Sequence, residues 1–433
     1  MAHRIQNFDL LATDPLRTDA LSIAEAAYAA VNVCAALTRT LRIEDGTLHV
    51  RDATYRLGKR RIFFVGVGKC ARAAAEAIED IFGDSLTGGI AFDVSESAKQ
   101  RSLTKIETFI GTHPLPSETN EQATKRILEF LSGRTKDDLV IMLISGGGST
   151  LLCLPKAPML CEDERVLWSE LTAKGASIQD INTVRKHISR ARGGALAAAA
   201  YPAEVLSLIV SDVPGNDIEY IASGPTVLDT STVADAKAVL TKHNVSSAER
   251  IQCVETPKDK KFFERVSNVL FLTNQDALSA METEATKRGY AVSVVSDRLS
   301  GEARDIGKTV AAKLHGAPQK TALLYAGEST VTIDTRQGGG RGGRNQETAL
   351  AALEDIRPGE LVLPFASDGH DNTDHAGAVS DSATRARAEA RSLSISEYLT
   401  SHRSYDFFTM TGDALRTGYT GSNVSDLIVA IKQ

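Results

Sequence analysis

Two continuous apolar runs, each ending in a glycine-rich turn that leads toward a helix, most limit what this chain can fold into. Leu139–Ile144 runs into Ser145-Gly-Gly-Gly-Ser149, and Ile62–Val65 runs into Gly66-Val-Gly-Lys-Cys-Ala71. An uninterrupted apolar strand is typical of a parallel sheet with both faces covered. A strand, a glycine turn and a helix start also make a phosphate-binding cradle. The two runs therefore predict an α/β fold with phosphate sites at its strand ends.

A third glycine-rich stretch, Gly338-Gly-Gly-Arg-Gly-Gly-Arg-Asn-Gln-Glu347, lies between a strand-like and a helix-like segment. Glycine adds no side chain to a core and costs conformational entropy. We therefore interpret these glycines as backbone that presses against a ligand rather than as packing. Arg344, Asn345 and Gln346 stand where the loop enters a helix, a position that favours bound negative charge. The alternative is a mobile surface loop, and the two arginines favour an anion site.

Length, charge and cysteine content exclude several classes of protein. At 433 residues the chain exceeds one ordinary core, so we expect two domains. A net charge of −6 argues against a broad nucleic-acid surface. The five scattered cysteines contain no CxxC pair, so we expect reduced thiols in a cytoplasmic protein, without zinc or a disulfide framework. There is neither a signal-peptide pattern nor an apolar run of about 18 residues, so we expect no membrane span.

Strand-like and helix-like segments alternate along most of the chain, which predicts two α/β domains. Residues 1–250 form the first, a Rossmann-like open parallel sheet covered by helices. Residues 251–433 form the second α/β domain, with the boundary in the polar segment Asn244–Lys261. One long helix is predicted at Arg17–Thr38. The last strands of the second domain are predicted at Leu361–Ala366, Asp406–Thr409 and Asp426–Ile431.

Ligands of open α/β sheets bind beyond the carboxyl ends of the strands, and polar clusters recur there. Asp212 and Asp368 each follow a predicted strand by two residues, as expected of Mg²⁺ ligands, although turn and cap residues have the same pattern. His113 is a candidate acid–base or substrate-binding group, or a hydrogen-bonded loop residue. Arg185 and Lys186 form either a clamp for a substrate carboxylate or a solvated helix face.

Motifs that are absent or incomplete narrow the enzyme class. The chain has no G-x-x-x-x-G-K-[ST] phosphate loop and no protein-kinase motifs. Gly66-x-Gly68-x-x-Ala71 matches a loose dinucleotide fingerprint, with Asp93 as its acidic partner. An NAD(P)-dependent reductase is therefore the alternative enzyme class. A non-catalytic sensor of phosphorylated sugar acids is a third interpretation.

Eight segments together resemble the class II glycerate kinases. They cover almost the whole chain in order: Gly66–Ala71, Gly111–Pro116, Ile144–Ser149, Asn182–His187, Ser211–Gly215, Ile221–Thr226, Gly342–Glu347 and Ala366–Gly369. The resemblance implies a second domain with a mixed sheet that carries the glycine-arginine loop, and an active site in the cleft between the domains. It also implies phosphorylation of D-glycerate at the 2-hydroxyl with ATP and Mg²⁺, although some members were labelled hydroxypyruvate reductases.

The motifs and the resemblance together assign roles to individual residues. The resemblance implies that Lys69 and Arg344 are catalytic. The predicted substrate contacts are Arg185, Lys186 and His113, and the predicted Mg²⁺ ligands are Asp212 and Asp368. The predicted nucleotide and phosphate contacts are Gly68, Ser145, Gly146, Gly147, Gly148, Ser149, Gly342, Gly343, Asn345 and Gln346. The expected partner is a small sugar acid, with no nucleic acid and no membrane, and a homodimer is compatible with these features.

Departures from the family pattern concern the acceptor substrate. The segment Asp371–Asp374 is one residue shorter than the family pattern, and Tyr419 and Ser425 replace residues that are common near its end. Ser117 replaces a usual aspartate. These differences leave a longer aldonate, such as a four-carbon sugar acid, as the alternative to glycerate. For the reductase class, the corresponding substrates are hydroxypyruvate and tartronate semialdehyde.

Overall fold

The computed structural model describes residues 3–94, 101–213, 215–246, 248–333 and 339–433. The chain divides into two compact units. We call one the six-strand unit; it consists of Val33–Asp212 and Asn216–Phe271. We call the other the seven-strand unit; it consists of Met1–Asn32, Val213–Gly215 and Leu272–Gln433.

Helices and strands follow one another closely along the described chain. The first elements are α1 (Phe8–Leu11), α2 (Pro15–Ala30), α3 (Val33–Thr40), β1 (Leu41–Glu44), β2 (Thr47–Val50), β3 (Ala53–Arg56), β4 (Arg61–Val67), α4 (Ala71–Phe82), β5 (Leu86–Asp93), β6 (Ile106–Ile110), α5 (Glu118–Leu131) and β7 (Asp138–Ile144). There follow α6 (Gly148–Leu151), α7 (Cys161–Ala173), α8 (Ile178–Ile188), α9 (Ala195–Ala200), β8 (Glu204–Val210), α10 (Val233–Lys242) and β9 (Val266–Leu272). The last are α11 (Asn274–Lys287), β10 (Ala291–Glu302), α12 (Ala303–His315), β11 (Thr321–Thr330), α13 (Arg344–Leu353), β12 (Glu360–Ala366), β13 (Gly377–Ala378), β14 (Ser380–Asp381), α14 (Ser382–Ala390), α15 (Ile395–Thr400), α16 (Ser404–Thr411), β15 (Ala414–Leu415) and β16 (Asp426–Lys432).

The main sheet of the six-strand unit has the order β6-β5-β4-β7-β8-β9. The pairs β5–β6, β4–β5, β4–β7 and β7–β8 are parallel. Every residue of β7 is buried, which explains why the strand is apolar throughout after Asp138. The strand order is that of doubly wound nucleotide-binding folds, in which the order of the strands along the sheet reverses at one point. The predicted Rossmann-like parallel sheet is confirmed.

A small antiparallel sheet, β1-β2-β3, also belongs to the six-strand unit. Its strands have four residues each, and Arg42 lies opposite His49 in the first pair. The strand predictions made from the sequence do not include this sheet. Strands of this length contain too few residues for an alternating pattern to stand out.

The seven-strand unit contains a mixed sheet in the order β10-β11-β16-β12-β13-β15, with β14 also paired to β12. Strands β10 and β11 are parallel, whereas β16 is antiparallel to both of its neighbours, β11 and β12. One core cluster of this unit includes Leu350 and Leu353 of α13 and Phe407 of α16, each fully buried. The mixed sheet expected from the family resemblance is thus present.

The first helices of the chain pack into the seven-strand unit, with the C-terminal half of the sequence. Arg17 of α2 is buried and forms ion pairs with Asp381 and Asp413. Tyr28 of the same helix packs against Phe365 of β12, with ring centroids 5.1 Å apart. The division of the chain therefore differs from the predicted boundary between residues 250 and 251. The first 32 residues and the short segment Val213–Gly215 join the later unit, and the chain returns to that unit at Leu272, the last residue of β9.

Two predicted elements differ from the structure. The segment Asp406–Thr409, predicted as a strand, lies inside α16, where Phe407 and Phe408 are buried. A short apolar run cannot distinguish a strand from a turn of buried helix, which is the reason for this error. The single helix predicted at Arg17–Thr38 is two helices, α2 and α3.

Cys153 and Cys161 form a disulfide, with their Cα atoms 6.1 Å apart. The expectation that all cysteines are reduced is wrong for this pair. Cys153 follows the short helix α6, and Cys161 begins α7. The loop between these helices folds back so that the two cysteines lie close together. The spacing of the cysteines in the sequence did not predict this.

Within the described residues, no single helix is both long and apolar enough to cross a membrane. The consecutive helices α2 and α3, which are separated by a bend, are long and apolar enough only when they are counted together.

Candidate active site

The order of the parallel sheet reverses between β4 and β7, which are neighbours in space. The two glycine turns singled out in the sequence follow these two strands. Ligands of doubly wound sheets bind at such a switch point, outside the carboxyl ends of the strands. The topology therefore brings both predicted phosphate loops of the six-strand unit to one place.

Backbone hydrogen bonds join the two turns directly. The Lys69 N–H donates to the carbonyl of Gly146 over 3.0 Å, and the Cys70 N–H donates to Ser145 Oγ over 3.2 Å. Gly68 has a φ of +113°, and a Cβ at this position would lie 2.3 Å from Ser145 Oγ. Gly68 is thus required for the close approach of the two turns. Its own N–H donates to the carbonyl of Phe92, so its place in the site is to shape the loop.

The start of α4 is occupied by a carboxylate of the chain itself. Asp93 Oδ2 accepts the N–H of Arg72 over 2.9 Å, and Asp93 Oδ1 accepts the N–H of Val94 over 2.7 Å. Asp93 is buried. The residue considered as a ribose-binding acid of a dinucleotide site therefore satisfies one backbone donor at the beginning of α4 and one directly after β5.

The glycine turn after β7 faces Lys69 and His113. A Cβ on Gly147, whose φ is +83°, would lie 3.5 Å from Lys69 Cγ and 3.4 Å from His113 Cδ2. Among the described residues, no acceptor receives the N–H groups of Gly146, Gly147 or Ser149. A lysine side chain, an imidazole and a turn with available backbone donors thus lie next to one another, an arrangement suited to an anion.

Two residues outside the predicted site form a hydrogen-bonded chain with Ser149. Ser149 Oγ lies 2.8 Å from Ser223 Oγ, and Ser223 Oγ donates to Asn182 Oδ1 over 2.7 Å. Ser223 and the preceding Ala222 both adopt left-handed backbone, with φ of 60° and 51°. A Cβ on Gly148 would lie 2.6 Å from the Ala222 Cβ, so Gly148 permits this contact. Non-glycine residues held in this conformation are concentrated at functional sites.

The two basic residues of α8 are buried, so they do not form a solvated helix face. The Arg185 guanidinium stacks on Trp168 at 3.9 Å, and its Nε lies 3.7 Å from Glu164. Burial lowers the pKa of Arg185 to about 10, with Glu164 opposing that shift. Arg185 Nε and Nη2 have no hydrogen bond within the described part of the chain. Lys186, in contrast, donates to Asp229 over 3.2 Å.

In the seven-strand unit, Arg344 begins α13 between two carboxylates. Its Nε lies 2.5 Å from Asp426 Oδ2, and its Nη2 lies 3.0 Å from Glu328 Oε1. Burial raises the pKa of Asp426 above its usual range, and the Arg344 charge opposes this. The Arg344 side chain remains 33% exposed. Its guanidinium is therefore oriented by protein groups and still accessible to a ligand.

The N-terminus of α13 is capped by Asp371. The N–H groups of Asn345 and Gln346 donate to its two carboxylate oxygens over 3.0 and 2.8 Å. Burial raises the pKa of Asp371, while these donors lower it. The sequence pattern predicts a ligand anion at this helix start. In the structure, these two N–H groups already have a carboxylate of the chain as their acceptor.

Three of the glycines before α13 are required for packing, contrary to the sequence-based interpretation. A Cβ on Gly343 would lie 2.0 Å from the Asp371 carbonyl oxygen. A Cβ on Gly342 would lie 2.2 Å from Ser404 Oγ, and one on Gly340 would lie 2.3 Å from the Ser401 carbonyl. The backbone presses against other parts of the chain at these positions. Gly338 lies outside the described residues.

A cavity of about 330 Å³ opens beside this loop. Gly342, Gly343, Arg344, Asn372 and His402 contribute to its lining. This volume lies at the lower end of the range for small-molecule sites. The loop thus has one side packed against the protein and another that faces a cavity.

The two predicted metal ligands belong to different units. Asp212 follows β8 in the six-strand unit, and Asp368 follows β12 in the seven-strand unit. Asp368 Oδ1 accepts the N–H of His370 over 3.0 Å. Among the described residues, no group of three or more His, Cys, Asp or Glu side chains is arranged to hold a metal ion.

Comparisons with known proteins match both parts of the sequence. Residues 19–254 match a family described as a domain of unknown function (DUF4147), and residues 321–426 match the MOFRL family. A glycerate 2-kinase from Pyrococcus horikoshii is 32% identical, over 96% of this chain and 97% of its own length. A D-glycerate 2-kinase from Thermotoga maritima is 34% identical, over 88% of this chain and 93% of its own. The chain belongs to the glycerate kinase family.

The solved structures agree with this assignment. The crystal structure of a glycerate kinase from Thermotoga maritima superimposes with a TM-score of 0.82 at 32% identity, covering 96% of this chain and 99% of that one. Some relatives carry another name: a protein of Agrobacterium vitis named putative hydroxypyruvate reductase is 36% identical over 85% of this chain. The family resemblance inferred from eight short segments is confirmed.

Several residues that shape the site of this glycerate kinase family member were not singled out as site residues by sequence analysis. Asn182 and Ser223 lie inside quoted family segments, which were the available signal. Asp371 and Asp426 also lie in polar loops at strand ends. Asp93 was noted, but with a different role. Which of these carboxylates and hydroxyls contact each other depends on the order of the strands, which no local pattern records.

Proposed function

We propose that this protein is an ATP- and Mg²⁺-dependent glycerate 2-kinase that converts D-glycerate to 2-phosphoglycerate. The 2-hydroxyl oxygen forms a bond to the γ-phosphorus, the bond from that phosphorus to the bridging oxygen of ADP breaks, and the hydroxyl proton is released. Phosphoryl transfer of this kind requires positioning and neutralisation of charge more than a covalent nucleophile.

One observation carries the proposal: Lys69 and His113 lie beside the Gly147 turn at the switch point of the parallel sheet. The available N–H groups of Gly146, Gly147 and Ser149 supply donors for phosphate oxygens. In this arrangement Lys69 stabilises the charge on the transferred phosphoryl group. The position therefore supports nucleotide phosphates better than a neutral ligand.

Arg344 is the second proposed catalytic cation, and its accessible guanidinium is oriented by Asp426 and Glu328. Arg185 is the better of the two proposed carboxylate contacts on α8. Its Nε and Nη2 have no hydrogen bond in the described chain, whereas Lys186 is already paired with Asp229. A substrate carboxylate would satisfy two buried donors of Arg185.

Asp212 fits a role in binding Mg²⁺. It follows β8, which pairs with β7, so a carboxylate oxygen stands at the same edge of the sheet as the glycine turn. Hard oxygen ligands of this kind, few in number and completed by water and substrate phosphates, suit Mg²⁺. Asp368 is the second proposed ligand. When bound, Mg²⁺ would neutralise part of the charge on the phosphates.

The NAD(P)-dependent reductase is the weaker alternative. Its fingerprint requires an acidic side chain for the ribose. Asp93, the residue proposed for that task, is buried and accepts the backbone N–H groups of Arg72 and Val94. The name of the Agrobacterium vitis relative is the other observation that points to this class, and it does not supply the missing ribose contact.

The proposal is tested by following phosphate transfer in the purified full-length protein. ADP should form only when D-glycerate, ATP and Mg²⁺ are all present. Coupling to enolase identifies the product, since enolase consumes 2-phosphoglycerate and not the 3-phosphate. Erythronate in place of glycerate tests the longer acceptor. Oxidation of NADPH with hydroxypyruvate, or absence of transfer to any short sugar acid, would overturn the proposal.

Lys69→Ala tests the catalytic assignment. We expect kcat to fall by at least about 100-fold with a smaller change in KM for glycerate, because the lysine acts on charge that develops during transfer. Lys59→Ala, in the exposed turn before β4, is the matched control and should retain full activity. A Lys69→Ala enzyme with near-normal kcat would remove Lys69 from the chemistry.

A further inference from the structure

The chain formed by Ser149, Ser223 and Asn182 has a defined direction. Asn182 Nδ2 donates to the carbonyl of Ile178 over 3.0 Å, which fixes the orientation of the side-chain amide. Oδ1 must therefore point toward Ser223, where it can only accept. Ser223 Oγ lies 2.7 Å away and must donate its one hydroxyl hydrogen to Asn182.

The direction of the first bond decides that of the second. Ser149 Oγ lies 2.8 Å from Ser223 Oγ. The hydrogen of Ser223 is already directed to Asn182, so the hydrogen of Ser149 must lie in this contact. Two hydroxyl oxygens this close without a hydrogen between them would repel each other. Ser149 Oγ consequently offers a ligand only its lone pairs.

The rigidity of this chain follows from burial. Ser223 is 0% and Asn182 is 3% exposed, whereas Ser149 is partly exposed at the turn beside Lys69 and His113. Buried hydroxyl groups that are fully paired do not readily exchange partners, because an unpaired polar group in the interior is costly. The orientation of the Ser149 hydroxyl is therefore set before any ligand binds.

We propose that Ser149 Oγ accepts a hydrogen bond from the reacting 2-hydroxyl of the sugar acid, and does not donate to a phosphate of ATP. This inference rests on the proposed kinase function. Phosphate oxygens of ATP are acceptors and cannot use an oxygen that has no hydrogen to give. A substrate hydroxyl has a hydrogen to donate, while the Ser149 N–H stays available to an anion on the same turn. Ser223 and Asn182 are then positioning residues that keep Ser149 an acceptor.

The chain orients the substrate hydroxyl but does not take its proton. It ends at the Asn182 amide oxygen, which is not a base at neutral pH. We therefore expect loss of Ser149 to weaken discrimination for the hydroxyl without moving the pH profile of kcat. This readout separates positioning of the hydroxyl from general-base catalysis.

The test compares binding of D-glycerate with binding of 3-hydroxypropanoate, which lacks the 2-hydroxyl, by calorimetry in the presence of a non-hydrolysable ATP analogue and Mg²⁺. The intact protein should prefer glycerate by about tenfold, the scale of one well-placed hydrogen bond. Ser149→Ala should reduce this ratio to about twofold and leave the affinity for the ATP analogue unchanged. Ser207→Ala is the matched control. It removes a buried hydroxyl of β8 that is hydrogen-bonded to Thr226, and it should keep the full ratio.

Two further variants test the direction of the chain. Asn182→Leu removes the acceptor of Ser223 and should lower the discrimination. Ser223→Ala frees the Ser149 hydrogen and should reduce it. If Ser149→Ala keeps the glycerate preference, or weakens ATP-analogue binding more than glycerate binding, the inference is wrong. The ratio of affinities is measured by binding and does not depend on turnover. Absence of turnover in the intact protein would instead contradict the kinase function.

Discussion

Arg344 Nε lies 2.5 Å from Asp426 Oδ2, at the point where α13 begins and β16 begins. Asp426 lies opposite Gly327 in the sheet, and Glu328, which also contacts Arg344, is the next residue on β11. Two neighbouring strands thus supply the carboxylates that orient one cation. The Asp426 side chain is 8% exposed and that of Glu328 is 39% exposed, so the two contacts differ in their degree of desolvation.

The difference in burial predicts unequal effects on catalysis. Asp426→Asn should lower kcat by about tenfold or more, because a buried charge-assisted contact holds Arg344 in place. Glu328→Gln removes a contact that is partly solvated, so its effect should stay below about threefold. Steady-state kinetics of both variants, with ATP and glycerate each varied, checks this order. Equal effects would show that Asp426 does not position Arg344.

The contact between the two turns of the six-strand unit predicts that Gly68 cannot be replaced. In Gly68→Ala, the new Cβ would lie 2.3 Å from Ser145 Oγ and 2.5 Å from the Ser145 carbonyl, so the turns must separate. Activity should fall by at least about tenfold, since reacting groups tolerate little displacement. Gly133→Ala is the matched control: its φ is also positive, at +78°, but nothing lies within 4 Å of its Cβ. It should cost about 1 kcal/mol of stability and leave kcat unchanged.

The ion pairs of Arg17 predict a large effect on stability. Arg17 Nε lies 2.6 Å from Asp381 Oδ2, and its Nη2 lies 2.8 Å from Asp413 Oδ1. Arg17→Met leaves two buried carboxylates without this partner and should lower the free energy of unfolding by about 3–5 kcal/mol. Urea unfolding followed by circular dichroism measures the change. Arg42→Met, at an exposed position of β1, should change the free energy of unfolding by less than about 0.5 kcal/mol.

His375 predicts a loss of stability in mild acid. The side chain is 0% exposed, and burial lowers its pKa from 6.5 to about 4. Between these two pH values the unfolded state binds more protons than the folded state. The free energy of unfolding should therefore have its full value above pH 6.5. It should fall as the pH approaches 4, by up to about 3 kcal/mol.

His375→Phe should remove this pH-dependent component, while keeping an aromatic ring against Tyr405, whose ring centroid lies 4.2 Å away. The measurement is the melting temperature between pH 4 and pH 7. His49→Phe, on the small antiparallel sheet, serves as the control and should follow the parent protein. An unchanged pH dependence in His375→Phe would show that another group is responsible.

Local patterns in the sequence were sufficient for much of the fold. The apolar runs at β4 and β7 and the turns after them predicted buried parallel strands, since a strand covered on both faces must be apolar throughout. The same patterns failed where one residue type has two structural uses. The glycines at 340, 342 and 343 were interpreted as ligand contacts, but the backbone there packs against Ser401, Ser404 and Asp371.

The sequence by itself determined the α/β class, the family and the positions of the glycine turns, because these follow from short-range hydrophobic periodicity and from backbone conformations that few residues other than glycine adopt readily. Only the tertiary structure decided which groups meet. It placed Asp93 on the N–H of Arg72, Asp371 on that of Gln346, and Ser149 on a chain that ends at Asn182. These contacts join residues 21 to 74 positions apart, and they form because strand order brings distant loops to one edge of a sheet.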